Sequence, residues 1–342
     1  MGSVEQEEKM TANGPLVSVV TPVYNGGAFF AECVESVLAQ TYSNWEYIIV
    51  NNCSTDGTLE LAEKYARKDK RIRLYNNDEF LGIIPNHNKA FRLICAESKY
   101  CKDVSADDWI FPEFLERMVA LAEAAPTVGI VGSYQLSGGG SNWQAWRVRW
   151  GEVPYPRKVI PGREVCRSQL LGGPFVFGSP TATLYRADLV RGAESFYPNS
   201  TVHADTSACY KYLRNSDFGF VHQVLSYERI HETQVSANSR EVDTYRSSLL
   251  GDLLEYGRFY LTEDELTGRL EELVSDYYRF LAANALGNTD KAFWKYHRER
   301  LRELGLPIST SKLGAAIFTK CLDLAFNPKS TIEKALKRFR HG

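Results

Sequence analysis

The chain has 342 residues, of which 44% are hydrophobic and 24% charged, so it can bury the core of one large or two modest globular domains. A formal net charge of −2 excludes a global positive field that would recruit nucleic acid. The seven cysteines form no Cys-x-x-Cys pair, which indicates reduced thiols in a cytoplasmic protein rather than a disulfide framework or a zinc site.

Residues 1–14 are acidic and lack an apolar core, so we interpret them as a flexible tail. From residue 16 to about residue 135, predicted strands alternate with predicted helices, which is typical of a parallel α/β sheet. The predicted strands are 16–21, 45–50, 71–75, 99–105 and 128–134, and the best-marked helix is 112–125, with proline in its first turn.

Three polar turns follow predicted strands, and they begin near Tyr24, Asn51 and Asp107. Ligands of parallel α/β sheets bind beyond the carboxyl ends of the strands. We therefore expect these three turns to lie along one edge of the sheet.

The pattern changes after this region. Residues 137–160 mix glycines with three tryptophans and predict a long loop, and 174–186 predict two short strands around Gly178 and Pro180. Two further strands are predicted in 217–230, and the pattern is helical from about residue 242. The predicted organisation is a tail at 1–14, an α/β domain at 15–240 and a helical C-terminal region at 241–342.

Asp107 and Asp108 are adjacent acids at the end of a predicted strand. Their mutual repulsion would be relieved by Mg²⁺ or Mn²⁺, hard ions that share carboxylate oxygens with a bound diphosphate. The alternative is a solvated acidic helix start that faces the helix macrodipole. A Gly-x-Gly-x-x-Gly turn and a phosphate-binding Gly-x-x-x-x-Gly-Lys-Ser/Thr loop are both absent from the sequence, which disfavours the two common nucleotide folds.

Three segments together resemble the family 2 glycosyltransferases. They are the opening "VSVVTPVYNGG…IIVNNCSTDGT", the "SADDW" segment around Asp107 and the "HADTSACYKYL" segment around Asp205. The resemblance runs from about residue 16 to residue 236. It implies a GT-A fold, that is, a Rossmann-like mixed α/β sheet, here with a C-terminal helical extension.

The resemblance also implies roles for single residues on the donor side. Pro22 and Tyr24 would line the base and ribose pocket, Asn52 would read the nucleobase, and Asp107 would hold the ribose or assist the metal. Asn51 and Asn52 stand where the family usually has two acids, and an amide donates as well as accepts hydrogen bonds. A UDP-sugar is the expected donor, although this replacement weakens the prediction of uridine.

For the chemistry, the resemblance implies that Asp108 binds the metal and that Asp205 is the catalytic base. His231 would be a diphosphate contact or a further metal ligand. Ser105 replaces the first acid of the commoner Asp-x-Asp-Asp form, which leaves the Asp pair to carry the metal. By sequence alone, Asp205 also fits an N-terminal helix cap, and His231 fits an ordinary hydrogen-bonded strand residue.

Acceptor contacts are predicted from the glycine- and tryptophan-rich loop, where Trp143 and Trp146 would stack on sugar rings or simply pack under the loop. Gly178 and Ser179 would shape the floor of the site. The predicted function is inverting transfer of a sugar from a nucleotide-diphospho-sugar to a glycan or lipid-linked acceptor, in cell-surface glycan or polysaccharide synthesis. The rival interpretations are a non-catalytic sugar-nucleotide or glycan-binding module and a nucleotidyltransferase.

Residues 331–342, "TIEKALKRFRHG", set apolar residues on one helical face with basic residues around them. Basic amphipathic helices bind anionic lipid, so one interpretation is a peripheral contact with the inner membrane surface. The other is that the apolar face packs against protein and the charges face water.

Overall fold

The computed structural model describes residues 14–139, 146–149, 153–199, 201–231, 242–287 and 290–326. The chain divides into two compact units, residues 1–237 and 238–342. Each unit has a hydrophobic core of its own.

The first unit is built on one mixed sheet. Among the described residues its ten strands are β1 (Val17–Val23), β2 (Trp45–Asn51), β3 (Ile72–Asn76), β4 (Tyr100–Asp103), β5 (Trp109–Ile110), β6 (Val128–Gly138), β7 (Arg147–Arg149), β8 (Val159–Ile160), β9 (Thr183–Arg186) and β10 (Asp217–Arg229). The sheet order is β3-β2-β1-β4-β9-β6-β10-β5, with β7 paired to β6 and β8 paired to β10.

Strand directions place the polar turns at one edge of this sheet. β1 is parallel to both β2 and β4, and β9 is antiparallel to both β4 and β6. Since β6 is in turn parallel to β10, the strands β1, β2, β4, β6 and β10 all point the same way. The end of β10 therefore lies at the same edge as the ends of β1, β2 and β4.

Helices surround the sheet because their apolar faces, and both faces of β1, must be buried. Every residue of β1 is buried, including the polar Ser18 and Thr21. The helices of this unit, among the described residues, are α1 (Phe30–Leu38), α2 (Thr58–Lys68), α3 (Ile83–Arg92), α4 (Phe114–Ala124), α5 (Gly162–Leu170), α6 (Ala187–Arg191) and α7 (Ala204–Tyr212).

Three local predictions were wrong. The predicted loop at 137–160 contains the short strands β7 and β8, and only the second of the two strand pieces predicted in 174–186 forms, as β9. The two strands predicted in 217–230 are one continuous strand, β10, which shifts register against β6 on either side of Val224. Such irregularities break the alternating pattern of a strand without breaking its pairing.

The second unit is helical in its described part. Its helices are α8 (Thr244–Tyr260), α9 (Glu263–Ala285), α10 (Lys291–Glu303) and α11 (Thr310–Phe326). The helix α9 begins with the predicted capping box, in which Thr262 and Glu265 each bond the other's backbone N–H. None of the described helices is long and apolar enough to cross a membrane. The basic stretch 331–342 lies outside the described residues.

Gln40 connects the end of α1 to the start of α4. Its Oε1 accepts from the backbone N–H of Leu115 at 3.0 Å, and its Nε2 donates to the carbonyl oxygens of Phe111 and Ser36 at 2.9 and 3.0 Å. The side chain is buried, so these bonds satisfy polar groups that water cannot reach. They fix the chain just after the acid pair.

We expect Gln40→Leu, which keeps the side-chain volume, to lower the free energy of unfolding by about 2–3 kcal/mol, because buried backbone groups lose their partners. Urea unfolding followed by circular dichroism measures this. Gln169 is a matched control: it is equally buried, but its amide has no hydrogen-bond partner among the described residues. Gln169→Leu should be neutral or stabilising, and equal losses in the two variants would contradict the role of Gln40.

Candidate active site

The two adjacent acids, in the turn between β4 and β5, have different environments. Asp108 is buried, and both of its carboxylate oxygens accept hydrogen bonds from the protein. The hydroxyl of Thr181 donates to Oδ2 at 2.7 Å, and the backbone N–H of Arg229 donates to Oδ1 at 2.9 Å. Burial, and next the negative charge of Asp107, raise the pKa of Asp108 well above its usual value.

The side chain of Arg229 also binds the turn that holds Asp107 and Asp108. Its Nε donates to the carbonyl oxygen of Asp107 at 3.1 Å, and its terminal nitrogen pairs with Glu32 at 2.7 Å. The guanidinium lies over the rings of Phe29 and Trp109, at 4.2 and 5.0 Å from their centroids. The end of β10 is thereby attached to α1 and to the acid turn.

Asp107 is partly exposed and lies against His231, with 2.9 Å between its Oδ2 and the Nε2 of the imidazole. The two residues meet because β5 pairs with the end of β10, where Trp109 stacks on Tyr227 at 3.8 Å between centroids. The strand pairing thus brings together side chains that are 124 residues apart in the sequence.

The chemistry of this pair fits a divalent cation. Asp107 and His231 keep 33% and 19% of their side-chain surface exposed, and a carboxylate with an imidazole is a donor set that Mn²⁺ accepts. In the described part of the chain no three His, Cys, Asp or Glu side chains are grouped for metal binding. A bound ion would therefore need diphosphate or water oxygens as well. Asp108, for which the sequence predicts metal binding, is buried and accepts one hydrogen bond at each oxygen, and its role as a metal ligand stays a prediction.

Asp205 lies in the first turn of α7 and is partly buried. The N-cap position of the helix belongs to His203, so Asp205 is not the terminal cap. Burial raises the pKa of Asp205 to about 6, with a smaller contribution from the charge of Asp103. Backbone N–H groups of the helix start and the charge of His87 lower it, so the carboxylate is mostly ionised at pH 7 and able to accept a proton.

The predicted nucleoside residues lie at the ends of β1 and β2. Pro22 is within β1, opposite Val50, and the half-exposed ring of Tyr24 meets Phe80 edge-on at 4.8 Å. Asn52, directly after β2, is buried. Its amide exchanges two hydrogen bonds with the backbone of Leu81, at 2.8 and 2.9 Å, and its Oδ1 also accepts from Asn77.

On the predicted acceptor side, Trp143 lies outside the described residues. Trp146 is 38% exposed, and its ring lies 5.4 Å from that of Tyr227. Gly178 is buried with φ of 82°, a conformation that favours glycine, and Ser179 exchanges hydrogen bonds with the amide of Gln135. These two residues lead into Thr181, the partner of Asp108.

Sequence reasoning missed four residues of this region: Thr181, Arg229, His87 and Asp103. For two of them, the position in the sequence could have indicated a place in the site. Arg229 stands two positions before His231, and Asp103 is an acid at the end of a predicted strand. Thr181 and His87 have no local pattern that points to their partners.

Comparison with known proteins identifies the family. The family model "Glycosyl transferase family 2" matches residues 18–192, which is just over half of the chain. The chain belongs to glycosyl transferase family 2. An uncharacterized glycosyltransferase of Haemophilus influenzae is 38% identical over 122 residues, 36% of this chain and 37% of that protein. The putative glycosyltransferase EpsE of Bacillus subtilis is 33% identical over 160 residues, 46% of this chain and 56% of EpsE.

The putative teichuronic acid biosynthesis glycosyltransferase TuaG of Bacillus subtilis is 38% identical over 110 residues, 32% of this chain and 43% of TuaG. The matches to these relatives thus span about a third to just over half of the relatives' own length.

Solved structures show the fold of the chain. S. aureus TarS 1–349 in complex with UDP-GlcNAc has a TM-score of 0.61 at 19% identity, over 85% of this chain and 81% of that one. The mannosyltransferase PcManGT from Pyrobaculum calidifontis, in complex with GDP-Man and Mn²⁺, has a TM-score of 0.53 at 16% identity, over 92% and 88%. The predicted GT-A fold with C-terminal helices is confirmed.

The two acids should respond differently to truncation. We expect Asp108→Ala to lower the free energy of unfolding by about 2–4 kcal/mol, because the Thr181 hydroxyl and the Arg229 N–H lose their acceptors. Asp107→Ala, at a partly exposed pair, should cost less than about 1 kcal/mol. Urea unfolding of both variants without added metal measures the difference, and an equal cost would contradict a structural role for Asp108.

Proposed function

We propose that this protein is an inverting glycosyltransferase that depends on a divalent cation, Mn²⁺ or Mg²⁺, and takes its sugar from a nucleotide-diphospho-sugar. The observation that carries the proposal is the Asp107–His231 pair at the sheet edge where β4 and β10 end. The partly buried Asp205 supplies the second functional group, and its electrostatic interaction with Asp103 relates it to the end of β4.

In this proposal Asp107 and His231 would hold the cation together with the donor diphosphate. A cation bound there would neutralise the negative charge that develops on the departing diphosphate. Asp108 does not touch the ion: its buried carboxylate holds the turn from which Asp107 projects. Arg229 fixes the other side of that turn through the carbonyl oxygen of Asp107.

Asp205 acts as the general base. Its carboxylate accepts the proton of the acceptor hydroxyl, while the hydroxyl oxygen bonds to the anomeric carbon from the face opposite the diphosphate. The bond between the anomeric carbon and the diphosphate breaks, and the single displacement inverts the anomeric configuration. Because the diphosphate is already a good leaving group, the protein contributes mainly positioning and charge stabilisation.

The donor's base would lie against Tyr24 and Pro22, and we retain a UDP-sugar as the first candidate. The neighbour TarS was solved with UDP-GlcNAc, whereas PcManGT was solved with GDP-Man. In this protein the amide of Asn52 is already bonded to Leu81, so a role in base selection would require it to share these bonds. A thermal-shift screen of nucleoside diphosphates with Mn²⁺ would identify the base.

We further propose that the acceptor is a glycan or a lipid-linked glycan of a cell-surface polysaccharide. The similarity to TuaG, whose name refers to teichuronic acid biosynthesis, supports this class of acceptor. The exposed ring of Trp146 supports an acceptor contact, and Trp143, Gly178 and Ser179 remain predictions. Cytoplasmic location with contact to the inner membrane surface through the C-terminal helices also remains a prediction, supported by the exposed Phe318 and Phe326 of α11.

Loss of either cation ligand should uncouple nucleotide binding from the metal. In calorimetry with UDP, Mn²⁺ should tighten binding to the wild type and EDTA should reverse the effect, while Asp107→Ala and His231→Ala should each weaken Mn²⁺-dependent binding at least about tenfold. His222→Ala is the matched control, since His222 lies on the same strand and bonds Tyr134 and the Arg157 carbonyl. Unchanged Mn²⁺ dependence in both ligand variants would refute the assignment.

Removal of the base should affect turnover and spare donor binding. Asp205→Asn keeps the size of the side chain but cannot accept a proton at neutral pH, so transfer should fall by roughly 10²–10⁴. The measurement is release of UDP from UDP-GlcNAc, or from the sugar nucleotide that the screen selects, together with the calorimetric affinity for UDP. Turnover near the wild-type rate would assign the base to another residue.

A further inference from the structure

Lys102, the third residue of β4, is a buried cation that the proposed function does not use. It has no exposed surface. The described lysines that form ion pairs are Lys99 and Lys320, so Lys102 is buried without a carboxylate partner among these residues. Burying an ammonium in this way costs free energy, and burial lowers the pKa of Lys102 to about 7. A methionine of similar volume would fill the same space without that cost, which indicates that the ammonium has a specific role.

Three backbone carbonyl oxygens take the place of a counter-ion. Nζ of Lys102 donates to the carbonyl oxygens of Asp103 at 2.6 Å, Pro180 at 2.8 Å and Thr183 at 3.1 Å. An ammonium has one N–H for each of them, whereas a neutral amine would turn its lone pair toward one carbonyl oxygen. The ring of Phe114, the first residue of α4, lies 4.6 Å from Nζ. Lys102 thus contacts three separate segments of the chain.

The bonds of Lys102 lie where the pairing of β4 with β9 ends. β4 pairs with β9 through its first two residues. Directly before β9 the chain forms a 3₁₀ turn, Pro180–Ala182, which we call the Thr181 turn. Lys102 binds the carbonyl oxygen of the first residue of this turn and that of Thr183, which follows its last residue. The ammonium therefore holds the backbone on both sides of Thr181.

The hydroxyl of Thr181 joins the two ends of the acid turn, Ser105–Asp108. It accepts from the backbone N–H of Ser105 at 3.2 Å and donates to Oδ2 of Asp108 at 2.7 Å. The backbone N–H of Asp108 closes the same turn by donating to the carbonyl oxygen of Ser105 at 3.1 Å. Asp107 is the third residue of the acid turn, so the position of its carboxylate depends on these connections.

We propose that Lys102 is a positioning residue of the donor site. By binding the carbonyl oxygens on both sides of Thr181, it keeps the Thr181 hydroxyl on the acid turn, and the acid turn presents Asp107 to His231. The inference rests on the proposed role of Asp107 and His231 as the cation pair. Lys102 acts through Thr181 and Asp108 and touches neither cation nor donor, because it has no exposed surface. The family resemblance assigns it no role.

Hydrogen exchange of the Ser105 amide tests this connection without substrate or metal, because that N–H is bonded to Thr181. In Lys102→Met the Thr181 turn loses its donor. Relative to the amides of β1 in the same protein, the Ser105 amide should then exchange at least about tenfold faster than in the wild type. Val128→Ala is the matched control. It removes buried volume at the start of β6, at the opposite edge of the sheet, and should lower the melting temperature without a local change at Ser105.

Calorimetry with UDP measures the consequence for the donor site. The quantity of interest is the metal ratio, defined as the Kd for UDP in EDTA divided by the Kd with Mn²⁺. Lys102→Met should lower the metal ratio about tenfold, the usual effect of losing a group that orients a metal ligand, and should leave the Kd in EDTA within about twofold. A purely structural role of Lys102 would lower the melting temperature, as Val128→Ala does, and leave the metal ratio unchanged.

A double-mutant cycle tests whether Lys102 acts through Thr181. Thr181→Val keeps the shape of the side chain and removes the hydroxyl, so it should lower the metal ratio as Lys102→Met does. Adding Lys102→Met to Thr181→Val should then change the metal ratio by less than about twofold, because the connection is already lost. Effects of the two changes that simply multiply would overturn the proposal.

The proposal is also overturned if the Ser105 amide exchanges in Lys102→Met as it does in Val128→Ala. If Lys102→Met does not fold, Lys102→Gln replaces it, since its amide keeps two N–H groups. Faster exchange at Ser105 is again expected, and unchanged exchange would again overturn the proposal. The proposed function fails separately: if Mn²⁺ does not tighten UDP binding to the wild type, the cation pair is refuted, while the exchange measurement still decides whether Lys102 holds the acid turn.

Discussion

The candidate site depends on one buried carboxylate. Asp108 accepts from the hydroxyl of Thr181, 73 residues away, and from the backbone of Arg229, 121 residues away. Burying an acid lowers the free energy of unfolding unless both of its oxygens accept hydrogen bonds. The turn can therefore form only when both donors, the Thr181 hydroxyl and the Arg229 N–H, are in position. By holding the end of β10 against the acid turn, Asp108 sets Asp107 opposite His231. The sequence suggests Asp108 as a metal ligand, and the structure adds a second part for it, as the acceptor that joins three distant segments of the chain.

The amide at Asn52 shows how a departure from the family pattern fits the local structure. Its Oδ1 accepts from the backbone of Leu81 and from Asn77, and its Nδ2 donates to the Leu81 carbonyl. A carboxylate could keep the accepting half of this arrangement but would face the Leu81 carbonyl oxygen without a proton to donate. The loop that places Phe80 beside Tyr24 is therefore held by hydrogen bonds that an amide at position 52 makes and a carboxylate could not make in full.

Much of the first unit could be read from the sequence, because buried strands and amphipathic helices leave local patterns. The strands β1 to β4 and β6, the helix at Phe114–Ala124 and the polar turns at one edge all followed from such patterns. The order of motifs indicated family 2, and the family model confirms it. Predictions were wrong where strand pairing departs from the local sequence pattern. The strand β10 continues through its register shifts, and β7 and β8 form in a stretch rich in glycine and tryptophan.

Tertiary structure alone decided which acid is buried and which side chains each acid meets. Asp107 and Asp108 follow the same strand and differ by one position, so the local pattern does not tell which of them is buried. Their environments differ because β5 pairs with β10 and because Thr181 reaches one of them. In the same way, only the folded chain brings His87 of α3 to 3.5 Å from Asp103 of β4. The sequence by itself therefore determined the family and the residue types of the candidate site, because these follow from local motifs, whereas burial and long-range hydrogen bonding determined the surroundings of each residue.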